Sequence, residues 1–254
     1  MPTGSGDRWA DDYERGRPSY PREAVAVAAV PESSRVLDLG AGTGKLTRVL
    51  AEQFAAVVAV EPAPAMRRVL ANVCGGVDVL AGTAEQIPLA DASVDAVFVA
   101  EAFHHFDGPR AVAEVARVLR AAGALVLLWN LPAGPAEPPI DAVERLVAAR
   151  GLTRERLGYD PLDLNATRWE AGEWRDAFAG SPFAPLRERR FRHEQRLDRG
   201  GVVALVASMG WVGDLPDPER LPLLETVRSL LGEHQYLRPW LTHVCWTHLD
   251  AAVD

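Results

Sequence analysis

The sequence predicts an α/β protein, a Rossmann-like, doubly wound, mostly parallel seven-stranded sheet with an inserted and C-terminal helical region. Three observations carry this expectation. Short apolar strands alternate with amphipathic helices at spacings of roughly 20–30 residues, the βαβ rhythm. The first strand runs into a glycine turn, Gly40-Ala41-Gly42-Thr43-Gly44, that opens a helix. The second strand ends on an acidic residue, Glu61, followed by Pro62.

Composition bounds the function before any motif does. The chain has 254 residues, 48% of them hydrophobic and 24% charged, as expected of a single large globular α/β domain. A formal net charge of -8 argues against a phosphate backbone as the main ligand, so no nucleic-acid partner is expected. Only Cys74 and Cys245 are present, without CxxC or other metal-ligand spacing, so no metal is expected from the sequence. No run of 18 apolar residues exists to cross a membrane, and the polar, glycine-rich Met1–Trp9 lacks an apolar signal region. A cytoplasmic enzyme is the resulting expectation.

Residues 1–34 are expected to form an arm, with Trp9, Tyr13, Arg15, Arg17 and Tyr20 clustered around Pro18 and Pro21. Two roles suit it: docking its aromatics on the core, or covering a ligand carboxylate with Arg17, whose planar fork matches two oxygens. Residues 22–30 follow as a short helix. Arg35 to Leu39 is the first strand and Leu46 to Phe54 the first sheet-covering helix. Ala56 to Val60 is a second strand whose tip exposes Glu61, and Ala63 to Asn72 the next helix. Strands follow over Val77 to Ala81, Val94 to Ala100 and Gly123 to Asn130, the last two separated by a helix over Pro109 to Arg120. Residues 35–130 are thus expected to be the cofactor-binding core and 131–185 an inserted helical cap, with Ile140 to Arg150 helical. Residues 186–254 are expected to complete the sheet with strands over Leu186 to Leu197 and Trp240 to Leu249. Helices over Val202 to Met209 and Glu219 to Leu231 lie between them. Five of the seven tryptophans fall after residue 165, which is read as an aromatic wall for a substrate with an apolar part.

In a doubly wound sheet, ligands sit beyond the carboxyl ends of the strands. The glycine turn, Glu61, the Gly82–Glu85 turn and the Glu101–His105 segment all follow strands, so they converge there. Glu61 stands about 20 residues after the first glycine, where a carboxylate accepts from a ribose diol. A dinucleotide site wants G-x-G-x-x-G, but here the spacing is G-x-G-x-G, with Lys45 at the place of the last glycine. Asp38, two residues before the first glycine, would repel a pyrophosphate and suits a ligand carrying positive charge. S-adenosylmethionine is therefore favoured over NAD.

The stretch VLDLGAGTGKLT resembles the first motif of the class I S-adenosylmethionine-dependent methyltransferases. VVAVEPAPAM is similar to their second motif, GTAEQIPLADASVDAVFVAEAFHHF to the segments around the fourth strand, and VLRAAGALVLLWN to the fifth strand. The arm YERGRPSYP resembles the N-terminal segment of a type 11-like subgroup that includes trans-aconitate methyltransferase-like proteins. The resemblance implies that Asp38, Gly40, Ala41 and Gly42 line the methionine part of S-adenosylmethionine. It places Glu61, with Pro62 and Met66, at the ribose, and Thr83, Ala84 and Glu85 at the adenine edge. Glu101 and Ala102 fall beside the methionine amine or methyl group, and Tyr13, Arg17 and Tyr20 over the carboxylate.

The expected reaction is methyl transfer to a small-molecule acceptor, an O-, N- or C-nucleophile or a carboxylate. His104 and His105 are the candidate general bases, since an unperturbed histidine titrates near neutrality; shaping the pocket is their other possible role. A binding protein without catalysis and an NAD-linked oxidoreductase are the alternatives. His243 and His248 are read as residues on opposite faces of the last strand. The run Arg187, Arg189, Arg190, Arg192 and His193 is read as a charged edge that deters aggregation.

Overall fold

The computed structural model describes residues 6–134, 137–149 and 172–250. Seven strands form one sheet: β1 (Arg35–Leu39), β2 (Ala56–Val60), β3 (Asp78–Leu80), β4 (Val94–Ala100), β5 (Leu119–Pro132), β6 (Arg187–Leu197) and β7 (Tyr236–His248). Their order is β3-β2-β1-β4-β5-β7-β6. The ladders β2/β3, β1/β2, β1/β4 and β4/β5 are all parallel. The chain winds outward from β1 to β3, returns to the other side of β1 with β4, and continues outward. The switch point therefore lies between β1 and β4. This is the Rossmann-like α/β fold that the alternation predicts.

The described helices are α1 (Gly6–Gly16), α2 (Arg22–Val25), α3 (Lys45–Ala51), α4 (Pro64–Val73), α5 (Gly108–Val118) and α6 (Pro138–Ala149). After residue 172 come α7 (Arg199–Ala207), α8 (Gly210–Gly213) and α9 (Asp217–Ser229). By internal contacts the chain divides into two compact units. One comprises Tyr20–Asn130, Arg168–Phe191 and Thr242–Asp254; the other comprises Met1–Ser19, Leu131–Thr167 and Arg192–Leu241.

In the first unit, strand alternation sorts side chains into two cores. Leu37, Leu39, Val97, Val99, Leu125, Leu127, Trp129 and Cys245 share one core with α5 residues Ala111, Val112 and Val115. Val36, Phe98, Val126, Leu128 and Val244 join α3 residues Leu46, Val49 and Leu50 in the other. Strands buried on both faces are why β1, β2 and β4 read as nearly continuous apolar runs. β5 starts at Leu119, four residues before the expected Gly123, because a register shift between Val94 and Ala96 lets an irregular stretch join the ladder. Ala122 accommodates it with φ 59°.

The second unit has its own core, with Val202, Leu205 and Val206 of α7 packed with Trp211, Leu223, Val227, Tyr236 and Trp240. Its opening segment, within the stretch read as an arm, is the helix α1. Gly16 allows α1 to lie on α7, since a Cβ there would stand 2.2 Å from the Leu205 nitrogen. The Trp9 indole donates to the Ser208 carbonyl at 3.2 Å, and Arg220 pairs with Asp12 at 2.7 Å. The aromatic wall expected after residue 165 is not what three of the four described tryptophans there build, and the fourth, Trp246, is half-buried against the core that α3 shares. Trp174, Trp211 and Trp240 are buried inside the hydrophobic cores, where their large apolar area is best used. Trp169 lies outside the described residues. Among the described residues, no helix is long and apolar enough to cross a membrane.

Candidate functional site

At the carboxyl end of β1 the chain makes three successive left-handed glycine turns, with φ 73° at Gly40, 58° at Gly42 and 90° at Gly44. Gly40 also passes close to the segment after β4, because a Cβ there would lie 2.7 Å from that of Ala102. At Gly42 the same construction meets nothing within 4 Å, so the turn faces open space. The amides of Gly40 and Ala41 donate to the Val60 carbonyl, which fastens the turn to the end of β2.

Asp38 is fully buried beneath this turn. Its Oδ2 accepts from the Thr47 hydroxyl of α3 at 2.6 Å, and its Oδ1 has no hydrogen-bond partner among the described residues. Burial pushes the carboxyl up to about 7, the Thr47 hydrogen bond opposes that rise, and the Glu61 charge adds to it. A buried carboxylate oxygen without a donor is costly, and a cationic ligand group would relieve it.

The sequence places Glu61 exposed at the tip of β2; the structure buries it to 3% exposure. Its Oε2 accepts from the Gly42 amide at 2.9 Å and its Oε1 from the Ala63 amide at 2.8 Å. Burial raises its pKa while those two amides and Arg67 oppose the rise. The carboxylate thus links the glycine turn to the start of α4, and each oxygen keeps a second lone pair for a ligand. Pro62 beside it is exposed, and Met66 is buried on α4.

The loop after β3 is held by an ion-pair network. Arg117 of α5 binds Glu114 and Asp91 and donates to the carbonyls of Ile87 and Leu89, while Glu114 accepts from the Ile87 amide at 2.8 Å. This positions Thr83, buried Ala84 and half-buried Glu85. Glu85 accepts from the Asp107 amide at 2.9 Å; partial burial raises its pKa, but that bond, Thr83 and Arg110 hold it below the usual range.

Beyond β4, Glu101 adopts φ 54°, an uncommon conformation for a non-glycine residue. Its Oε1 accepts from the Asn130 amide of β5 at 2.5 Å. Asn130 Oδ1 in turn accepts from the Thr242 hydroxyl of β7 at 2.6 Å. Asn130 and Thr242 are buried. These two residues and Thr47 complete polar contacts that sequence reasoning did not single out. The available signal was a polar residue closing an apolar strand, as Asn130 does.

His104 and His105 sit in a 3₁₀ turn, Phe103–His105, with ring centroids 4.0 Å apart. His105 is exposed and His104 half-buried. The structure therefore brings Asp38, the glycine turn, Glu61 and the Thr83–Glu85 and Glu101–His105 segments to one end of the parallel strands. Tyr20 is buried in the core of this unit. Tyr13 and Arg17 belong to the other unit, where Arg17 donates to Ser208 Oγ at 2.8 Å and to the Ser208 carbonyl at 2.9 Å. Its guanidinium also lies 5.2 Å from the Tyr13 ring centre. A covering role for Arg17 would require those bonds to be exchanged.

The sheet order, with a glycine turn at its switch point, defines the Rossmann-like α/β class of protein. Over residues 37–127 the chain matches a family described as a methyltransferase domain. It is 42% identical over 227 residues to an uncharacterised methyltransferase of Mycobacterium tuberculosis, spanning 89% of this chain and 84% of that one. It is 33% identical to an uncharacterised methyltransferase-like protein of Schizosaccharomyces pombe, across 87% and 82% of the two chains. Among solved structures it is similar to a protein of Anaeromyxobacter dehalogenans described as a type II methyltransferase. The TM-score is 0.66 at 25% identity, over 92% of this chain and 98% of that one. The chain belongs to the class I S-adenosylmethionine-dependent methyltransferases.

Proposed function

We propose that the chain transfers the methyl group of S-adenosylmethionine to a small-molecule acceptor. The observation that carries this reading is Asp38, a wholly buried carboxylate with an unpartnered oxygen beneath an open glycine turn. That arrangement fits an amino-acid ammonium group and opposes a pyrophosphate, so the residues present fit this cofactor. Gly40, Ala41 and Gly42 hold its methionine part by backbone, Glu61 the ribose diol with Pro62 and Met66 alongside, and Thr83, Ala84 and Glu85 the adenine edge. Glu101 and Ala102 border the reacting end. When bound, S-adenosylmethionine supplies a sulfonium methyl whose transfer leaves a neutral thioether, so no acid is needed on the leaving side.

The protein's contribution is then chiefly to hold the acceptor in line and exclude water. His104 or His105 takes a proton from a hydroxyl, phenol or thiol acceptor; a carboxylate acceptor would need neither. If both His104→Ala and His105→Ala keep full turnover, no base role survives.

Melting with S-adenosylhomocysteine tests the reading. Ligand at 100 times its dissociation constant adds about 2.7 kcal/mol of stability, whereas NADH should add none. Stabilisation by NADH and not by S-adenosylhomocysteine would overturn the assignment. Glu61→Ala should weaken S-adenosylhomocysteine by calorimetry, and unchanged affinity would remove Glu61 from the site.

A further inference from the structure

On the β7 face that carries Cys245, three metal-ligating atoms meet. His243 Nε2 lies 3.0 Å from Glu188 Oε2 and 3.7 Å from Cys245 Sγ, and all three atoms fall within 4.8 Å of one another. We propose that Glu188, His243 and Cys245 form a binding site for a zinc-class divalent cation that clamps β6 to β7. The site uses none of the residues assigned to methyl transfer, and it stands or falls independently of that function.

The geometry follows from strand periodicity. Residues two apart on a strand project to the same face, so His243 and Cys245 of β7 are paired by the backbone, and β6, its neighbour in the sheet, supplies Glu188. Bond lengths of about 2.3 Å to sulfur and about 2.0 Å to nitrogen in a tetrahedral site put S and N about 3.5 Å apart. The observed 3.7 Å is close to that separation. One thiol, one imidazole and one carboxylate match a borderline-soft cation rather than magnesium or calcium, which take oxygen ligands. His243 is 1% exposed and Cys245 wholly buried, whereas the Glu188 side chain is 56% exposed. The carboxylate therefore forms the open side: it can swing toward the sulfur, and water can complete the coordination. Binding replaces the Cys245 thiol proton, which leaves to solvent.

Two cations oppose the site. Arg175 lies 3.2 Å from the same Glu188 oxygen, and Arg190 follows Glu188 by two positions on β6. Both charges reduce affinity without blocking the buried ligands.

Cobalt(II) titrated into tag-free protein tests the proposal, because a cobalt–thiolate bond gives a near-ultraviolet charge-transfer band. One equivalent should produce the band in the native protein and in Cys74→Ser but not in Cys245→Ser, and zinc should abolish it. Glu188→Gln, at an exposed position, should weaken binding about tenfold or more, and Arg175→Gln should strengthen it. Absence of the band, or its persistence in Cys245→Ser, would overturn the proposal. If Cys245→Ser does not fold, Glu188→Gln decides, and unchanged cobalt affinity would equally overturn it.

Discussion

Asp38 holds a conflict that the protein alone leaves open. Its carboxyl lies in the core with one oxygen bonded to Thr47, and burial carries its pKa from 3.8 to about 7. A folded-state pKa above the unfolded value means that the native state binds the proton more tightly. The associated stability is complete below pH 3.8 and is lost as pH rises through about 7, a span of order 4 kcal/mol. Asp38→Asn removes the titration while keeping an oxygen for Thr47. The variant should be more resistant to urea than the native protein at pH 8, with little difference at pH 4. It should also bind S-adenosylhomocysteine at least tenfold more weakly, since the countercharge proposed for the ammonium is gone. An Asn variant that is both less stable at pH 8 and equal in affinity would show that Asp38 serves packing only.

At the scale of elements, the glycine turn separates shape from function. Gly40→Ala must accept φ 73° and a Cβ 2.7 Å from Ala102, so it combines strain with a collision. Gly42→Ala meets φ 58° but no neighbour within 4 Å, so its cost is the backbone alone, about 1–2 kcal/mol. Gly40→Ala should therefore lower the melting temperature more. Gly42→Ala should lose ligand affinity out of proportion to its stability, because on the proposed assignment the added methyl enters the space the cofactor takes. Helix α1 makes a complementary case. Arg17→Ala removes two bonds to Ser208 and should cost about 1–3 kcal/mol, read as faster amide exchange across residues 6–16. Normal cofactor binding in that variant would assign the arm to structure alone.

The same elements show what could be read from the sequence. β1, β2 and β4 have the expected bounds because short apolar runs closed by glycine, proline or a carboxylate leave little choice. α1 escaped because its apolar contacts come from single residues, Trp9, Ala10 and Tyr13, spaced among charges, and its partner α7 lies almost 200 positions away. The first sheet-covering helix ends at Ala51 rather than Phe54, since Gln53 and Phe54 already turn toward β2. Asp38 and the glycines were legible because they sit in one contiguous stretch, and Glu61 because it closes the next apolar strand. Glu61's burial was not, because it depends on two backbone amides that only the folded turn aims at it.

For the whole molecule, the elements proposed to hold the cofactor lie within residues 35–130, while β6 and β7 come from beyond residue 186. Sequence reading treated His243 as a plain strand residue because its partner Glu188 is 55 positions away. The charged run on β6 falls on a sheet edge, as expected, with Arg187 to Arg190 exposed.

The position of β7 has a consequence for how the protein is made. In the order β5-β7-β6, the strand that seals β5 and gives β6 its place leaves the ribosome after both of them. Until residues 236–248 emerge, a nascent chain carries an apolar β5 with a bare row of amides and carbonyls. Chains released early, for instance by a stop codon near residue 235, should therefore be captured by chaperones or aggregate, although every residue of the glycine turn has already been translated.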